Sequence, residues 1–198
     1  MTELLPMVFT SGWASGVNAY ATVLLLGLLG RFAGVDAVPA GLERTDVLVA
    51  ALVLYVVEFV ADKIPYVDST WDAVHTAIRP VVGTVIALLV AGDAGSLDQT
   101  VLAATGGTTA LASHLVKSGL RLAVNTSPEP ASNIGVSLVE DFSVAGIIGL
   151  AVAAPWVAAG IAAVLLATGM TLVVLLAKRI RRARARWRAR RAQRAPRA

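Results

Sequence analysis

Apolar runs long enough to cross a bilayer fill most of this chain, and the charge between them is gathered into two stretches, 58–79 and 114–141. A charged side chain at the centre of a bilayer costs ~2.5 kcal/mol or more, so it faces a bundle interior or water and marks a functional site. That single constraint selects an all-α, polytopic membrane protein whose helices bring the two charged stretches together. The composition agrees. Of 198 residues 57% are hydrophobic, the mean hydropathy is +0.73 and only 6% are aromatic, so the apolar content is small and aliphatic. Cysteine is absent, which excludes disulfides and thiolate metal sites within the chain.

A helix needs about 20 apolar residues to span hydrocarbon. On that measure the sequence predicts six spans, near 12–33, 45–61, 80–90, 97–120, 134–153 and 157–177. The N-terminus lacks a basic n-region and a cleavage site, so the first apolar segment is expected to be retained. Gly12 and Gly16 form a G-x-x-x-G pair that suits close helix packing and is a candidate homodimer contact. Asn18 is the one strongly polar side chain of that first span.

The net charge of +4 conceals an asymmetry. Eleven of the 17 bases lie in 178–198, and the remaining six stand against all 13 acids, leaving the body at −7. Residues 1–177 therefore read as one transmembrane domain and 178–198 as a basic, Arg-rich tail. By the positive-inside rule the tail is cytoplasmic, and six spans place the N-terminus on the same side. The tail suits anionic lipid headgroups. Nothing beyond its charge supports a nucleic-acid partner.

In the first polar stretch Glu58 and Asp62 share a helix face, with Lys63 next to them, and Pro65 is expected to break the helix. Asp68, Asp72, His75 and Arg79 then form one helical stripe, predicting a short amphipathic helix over 67–79 that does not cross the membrane. In the second stretch His114, Lys117, Arg121 and Asn125 repeat that spacing with the opposite sign. The prolines at 128 and 130 interrupt any helix, and Asn133, Glu140 and Asp141 give the fifth span a polar start. The two stretches form cytoplasmic-side connections of two helical hairpins, an arrangement compatible with an internal duplication. Charge complementarity pairs Lys117 and Arg121 with some of Glu58, Asp62, Glu140 and Asp141, and Arg79 with Asp72, His75 or Asp141.

These residues are the candidate substrate or ion path of a small transporter or channel-like protein. A second reading is a membrane-embedded enzyme or binder of phosphorylated lipid headgroups, with a divalent cation on Asp68, Asp72 and His75. A third is an assembly protein whose charges only dock helices. No Walker loop, Gly-x-Ser-x-Gly or His-Glu-x-x-His occurs, which favours a non-enzyme.

The run Ser11-Gly-Trp-Ala-Ser-Gly-Val-Asn-Ala-Tyr20, then Glu58, Ala61-Asp-Lys-Ile-Pro-Tyr-Val-Asp-Ser69 and Ile78-Arg79-Pro80, resembles a family of bacterial integral-membrane proteins catalogued as domain of unknown function 4126. The resemblance covers residues 11–177. It implies a multi-span membrane protein and carries over no catalytic residue.

Overall fold

The computed structural model describes residues 2–64, 66–125 and 130–194, the side chains of 130 and 189–194 excepted. The described residues contain no strand and form seven α-helices: α1 Leu5–Val17, α2 Ala19–Ala33, α3 Thr45–Ala61, α4 Val67–Ala91, α5 Ser96–Val124, α6 Pro130–Ala153 and α7 Pro155–Arg194, with one 3-10 turn at Ala40–Leu42. Three of them, α4, α6 and α7, are long and apolar enough to cross a bilayer.

The first apolar segment is not one helix. It breaks at Asn18, whose backbone is extended at φ −150°, ψ 101°. The Asn18 side chain takes the role of the helix, accepting from the Ala21 N–H at 2.9 Å, while its carbonyl accepts from Thr22 N–H and the Thr22 hydroxyl. Asn favours such local bonds over helix interiors, which is why the interruption falls here. The two pieces have 13 and 15 residues, about 20 and 23 Å long, against ~30 Å of hydrocarbon.

These pieces form a V that enters and leaves at the same end of the bundle. Pro6 and Phe9 of α1 lie beside Trp156 and Ala159, at the start of α7. Lower down, Val17 meets Lys117. Climbing back along α2, Tyr20 meets His75, Val23 lies with Val82 and Ile86, and Gly30 packs on Glu43 just before α3. The segment expected as one span over 12–33 is therefore a hairpin that turns back within the bundle, with Asn18 at its tip. The α1 N-terminus and the basic end of α7 consequently lie at opposite ends of the bundle, not on one side.

Helix α1 is nearly sheathed by α4, α5, α6 and α7. Its Gly face is consumed within the chain: a Cβ on Gly12 would stand 2.7 Å from the Gly106 carbonyl oxygen, and one on Gly83 2.8 Å from that same atom. Gly12 and Gly16 pack on α5, so that face is not a free surface for a second copy.

The amphipathic segment over 67–79 is likewise not a separate short helix. It is the first half of α4, which runs through Pro80 for 25 residues. Proline removes one helical donor. Packing of α1 and α5 along both sides of the proline, with the Ser15 hydroxyl donating to the Arg79 carbonyl at 3.2 Å, holds the helix continuous. Tyr66, at φ 72°, turns the chain into α4. The basic tail continues α7 as helix to Arg194. The expected Pro65 break, the Pro128 interruption and the end of the tail beyond 194 lie outside the described residues; Pro130 opens α6.

Within the two expected hairpins the helices diverge: α3 touches α4 and α5 touches α6 only sparsely, whereas α4 and α5 pack closely. That divergence leaves room for the polar stripes and the tip of the V between them.

Candidate functional site

The break at Asn18 frees backbone carbonyls in the middle of the bundle. An unsatisfied backbone group there is costly, and irregular backbone is tolerated at such depth only inside protein. Two cations meet the need. Arg79 Nη1 donates to the Gly16 carbonyl at 3.0 Å, and Lys117 Nζ to the Val17 carbonyl at 3.0 Å. Both also face the negative end of the α1 dipole. One turn away from Lys117 on α5, the Ser113 hydroxyl donates to the Trp13 carbonyl at 2.8 Å.

Helical periodicity then places everything else. The stripes Asp68, Asp72, His75, Arg79 on α4 and His114, Lys117, Arg121, Asn125 on α5 turn toward each other, and all but Asn125 are buried. Glu58, fully buried at the end of α3, accepts from Arg79 Nη2 at 2.6 Å and lies 3.8 Å from Lys117 Nζ. Lys117 pairs with Asp62 at 2.7 Å and lies 3.6 Å from Glu140. Arg121 pairs with Glu140 at 2.5 Å, donates to the Asp62 carbonyl and to Asn133 Oδ1, and lies 3.5 Å from Asp68. Asn125 donates to both Asp68 oxygens. The result is one connected network from Asp72 to Asn125.

Arg79 pairs with Asp72 at 3.3 Å but with neither His75 nor Asp141. Asp141 instead accepts from the Asn18 amide at 3.2 Å and lies 4.0 Å from Lys63, whose ammonium also donates to the Phe59 carbonyl and the Ser137 hydroxyl. Asp141 thus reads the tip of the hairpin. An arginine can only donate, so its 2.8 Å contact from Nη1 leaves His114 Nδ1 bare and puts the proton on Nε2, facing Thr76 Oγ1 at 3.0 Å. His75 donates from Nδ1 to the Trp71 carbonyl, and its Nε2 hydrogen-bonds with the Tyr20 hydroxyl at 3.0 Å. The Arg79 contact makes the His114 imidazole neutral in this arrangement.

Asp62 lies in the connection after α3. Burial pushes its carboxyl up, but the Lys117 ammonium and the Arg121 guanidinium outweigh burial and hold it below the usual carboxylate range. Six acidic side chains (Glu58, Asp62, Asp68, Asp72, Glu140, Asp141) thus meet four basic ones (Lys63, Arg79, Lys117, Arg121), two more acids than bases.

The weak metal set does not converge. Asp68 is held by Asn125 and His75 by Trp71 and Tyr20, and among the described residues no group of three His, Cys, Asp or Glu is placed to hold a metal ion. Sequence reading missed the helix break and four hydroxyl participants, Ser15, Tyr20, Thr76 and Ser113. The signal was available in Ser15-Gly-Val-Asn18, where an Asn able to cap follows a glycine within an apolar run.

On the end of the bundle that carries the tail, a cavity of ≈ 260 Å³ opens between α4 and α5, lined by Ser69, Asp72, Ala73, Thr76, Ser118, Arg121 and Leu122.

A family model described as domain of unknown function (DUF4126) matches residues 5–175, so the chain belongs to that family. No curated protein and no solved structure matches.

Proposed function

We propose that this family member is a small integral-membrane transporter or channel-like protein of the bacterial inner membrane. In this reading α3 and α5, which run alongside, cross together with the three long apolar helices α4, α6 and α7, and the α1–α2 hairpin re-enters from the outer face. The basic tail is cytoplasmic by the positive-inside rule. The observation that carries this reading is the Asn18 tip, a helix break at mid-depth set among ionisable side chains. Discontinuous helices that turn their ends toward a charged midplane site are how many carriers hold substrate or coupling ions. A purely structural membrane helix has no use for such a break, because each freed carbonyl must then be satisfied by a buried cation.

In this reading Glu58, Lys117 and Glu140 form the path beneath the tip, and the cavity beside Asp72 is its cytoplasmic mouth. The closed network is the occluded arrangement. Movement of the hairpin would transfer Gly16 and Val17 from Arg79 and Lys117 to other partners.

A second reading rests on the extent of pairing itself. With most charges in mutual contact, the network can serve helix docking alone. The lipid-headgroup enzyme has less support, because Asp68 and His75 are committed to other partners.

The test is flux in liposomes holding the purified chain, read with an internal pH dye and an alkali-ion dye under imposed gradients. Wild-type flux is expected above protein-free vesicles and falls about tenfold in Glu58→Gln and in Asn18→Leu. Equal leak from wild type, variants and empty vesicles, with Asp62→Lys plus Lys117→Asp restoring stability lost in either single variant, would establish the docking role instead.

A further inference from the structure

The chemistry around the cavity on the tail side is one-sided. Asp72 is 4% exposed, and both of its carboxylate oxygens are buried without a hydrogen bond. Arg79, its ion-pair partner among the described residues, lies 3.3 Å from Oδ1 and directs its shorter bond, 2.6 Å, to Glu58. A buried carboxylate that has ion pairing but no hydrogen bond has its desolvation cost only partly offset.

The donors at the cavity are already engaged. Arg121 is held by Glu140, the Asp62 carbonyl and Asn133. The Thr76 hydroxyl donates to the Asp72 carbonyl, the Ser118 hydroxyl points to the Leu115 carbonyl, and the Ser69 hydroxyl lies against Asp68. What remains is acceptors: the Asp72 carboxylate, whose residue lines the cavity though its oxygens are buried in this arrangement, and the lone pairs of Ser118. An anion drawn by Arg121 would meet Asp72 instead of a free donor. The network also holds two more acidic side chains than basic ones, so an added positive charge is favoured where the site is least solvated. At ≈ 260 Å³ the space lies just under the ~300 Å³ at which pockets for drug-sized ligands begin. That volume admits a hydrated ion of either valence; with a single carboxylate on offer and no group of three His, Cys, Asp or Glu converging among the described residues, the donor set favours a monovalent ion or an ammonium of a few heavy atoms.

We propose that this cavity is a binding site for a small monovalent cation, an alkali ion or a primary ammonium, with the Asp72 carboxylate as its ligand and Ser118 as an auxiliary acceptor. The assignment names the substrate or coupling ion of the transport reading and rests on it only for that role, because binding is read here without flux.

The experiment uses the full chain in detergent, titrated with potassium chloride or methylammonium chloride in N-methylglucamine buffer at constant ionic strength. Thermal unfolding is followed by tryptophan fluorescence, and heats by calorimetry. Saturable stabilisation by potassium or methylammonium is expected, with the half-saturating concentration raised about tenfold or more in Asp72→Asn. Ala73→Phe fills the same cavity from its exposed rim without touching the network, and should abolish the effect while folding normally. Stabilisation by N-methylglucamine to the same degree, by magnesium alone, by a change of anion, or undiminished in both variants would overturn the assignment, as would no stabilisation at all. A chain that binds the cation yet shows no flux would refute the transport reading and leave the site standing.

Discussion

At the scale of single residues, Arg79 is the side chain on which most others depend. It reaches Glu58, Asp72, His114 and the Gly16 carbonyl from one fully buried position. Arg79→Met would leave two carboxylates and a carbonyl without their cation, a cost of about 3–5 kcal/mol by analogy with other broken buried pairs. Arg79→Lys should recover little, since one ammonium does not reproduce the planar fork. Thermal unfolding in detergent measures both, and Glu58→Gln with Arg79→Met should cost less than the sum of the two single changes. Asp62 supplies a pH dependence whose sign is definite. Its folded-state pKa is depressed, so its contribution is complete above the unfolded value of about 3.9 and is lost as pH falls below it toward the folded value. Unfolding temperature should therefore fall more steeply below about pH 4 in wild type than in Asp62→Asn. Equal slopes would show that the Lys117 and Arg121 contacts do not bias Asp62. The identities of these ionisable groups, and their grouping into helical stripes, were legible from spacing alone. Partner choice was not, because Coulomb attraction depends on distances the chain sets only when folded.

At the scale of elements, the packing of α1 against α4 and α5 decides the depth of the Asn18 tip. Gly12, Gly83 and Gly106 meet backbone to backbone, where no flexible side chain can yield. Gly106→Val should therefore cost at least ~1–3 kcal/mol through overpacking and displace the tip as well. Gly146, in α6, faces open space, and Gly146→Ala should be neutral or up to about 1 kcal/mol stabilising through helix propensity. Comparing expression and unfolding of the two variants separates local packing from general intolerance of substitution. The Gly-x-x-x-Gly spacing correctly announced close helix contact but not the partner. A small-residue face fits another part of the same chain as well as a second copy, and here α5 occupies it. The separation of 67–79 from the following helix failed for a related reason: proline's local penalty was outweighed by packing along both sides of α4.

At the scale of the whole molecule, the V of α1 and α2 puts the N-terminus and the tail at opposite ends of the bundle, and the proposed topology has an odd number of spans. The absence of cysteine makes this directly testable, because single cysteines can be introduced without a background. With the tail cytoplasmic, Thr2→Cys and Asp93→Cys should react with an impermeant maleimide in intact cells, and Tyr66→Cys only after the membrane is opened. Labelling of Tyr66→Cys together with Thr2→Cys in intact cells would refute the re-entrant arrangement. The sequence by itself determined the solvent, the helical class, the two polar stripes and the charged arm, since each follows from hydropathy or from a 3.6-residue period that acts locally. Only the tertiary structure decided that the first apolar segment turns back at Asn18 and that its freed carbonyls are met by Arg79 and Lys117. One residue's backbone angles reverse a helix, and those angles are stable here only because cations from two other helices arrive to bind what the reversal exposes.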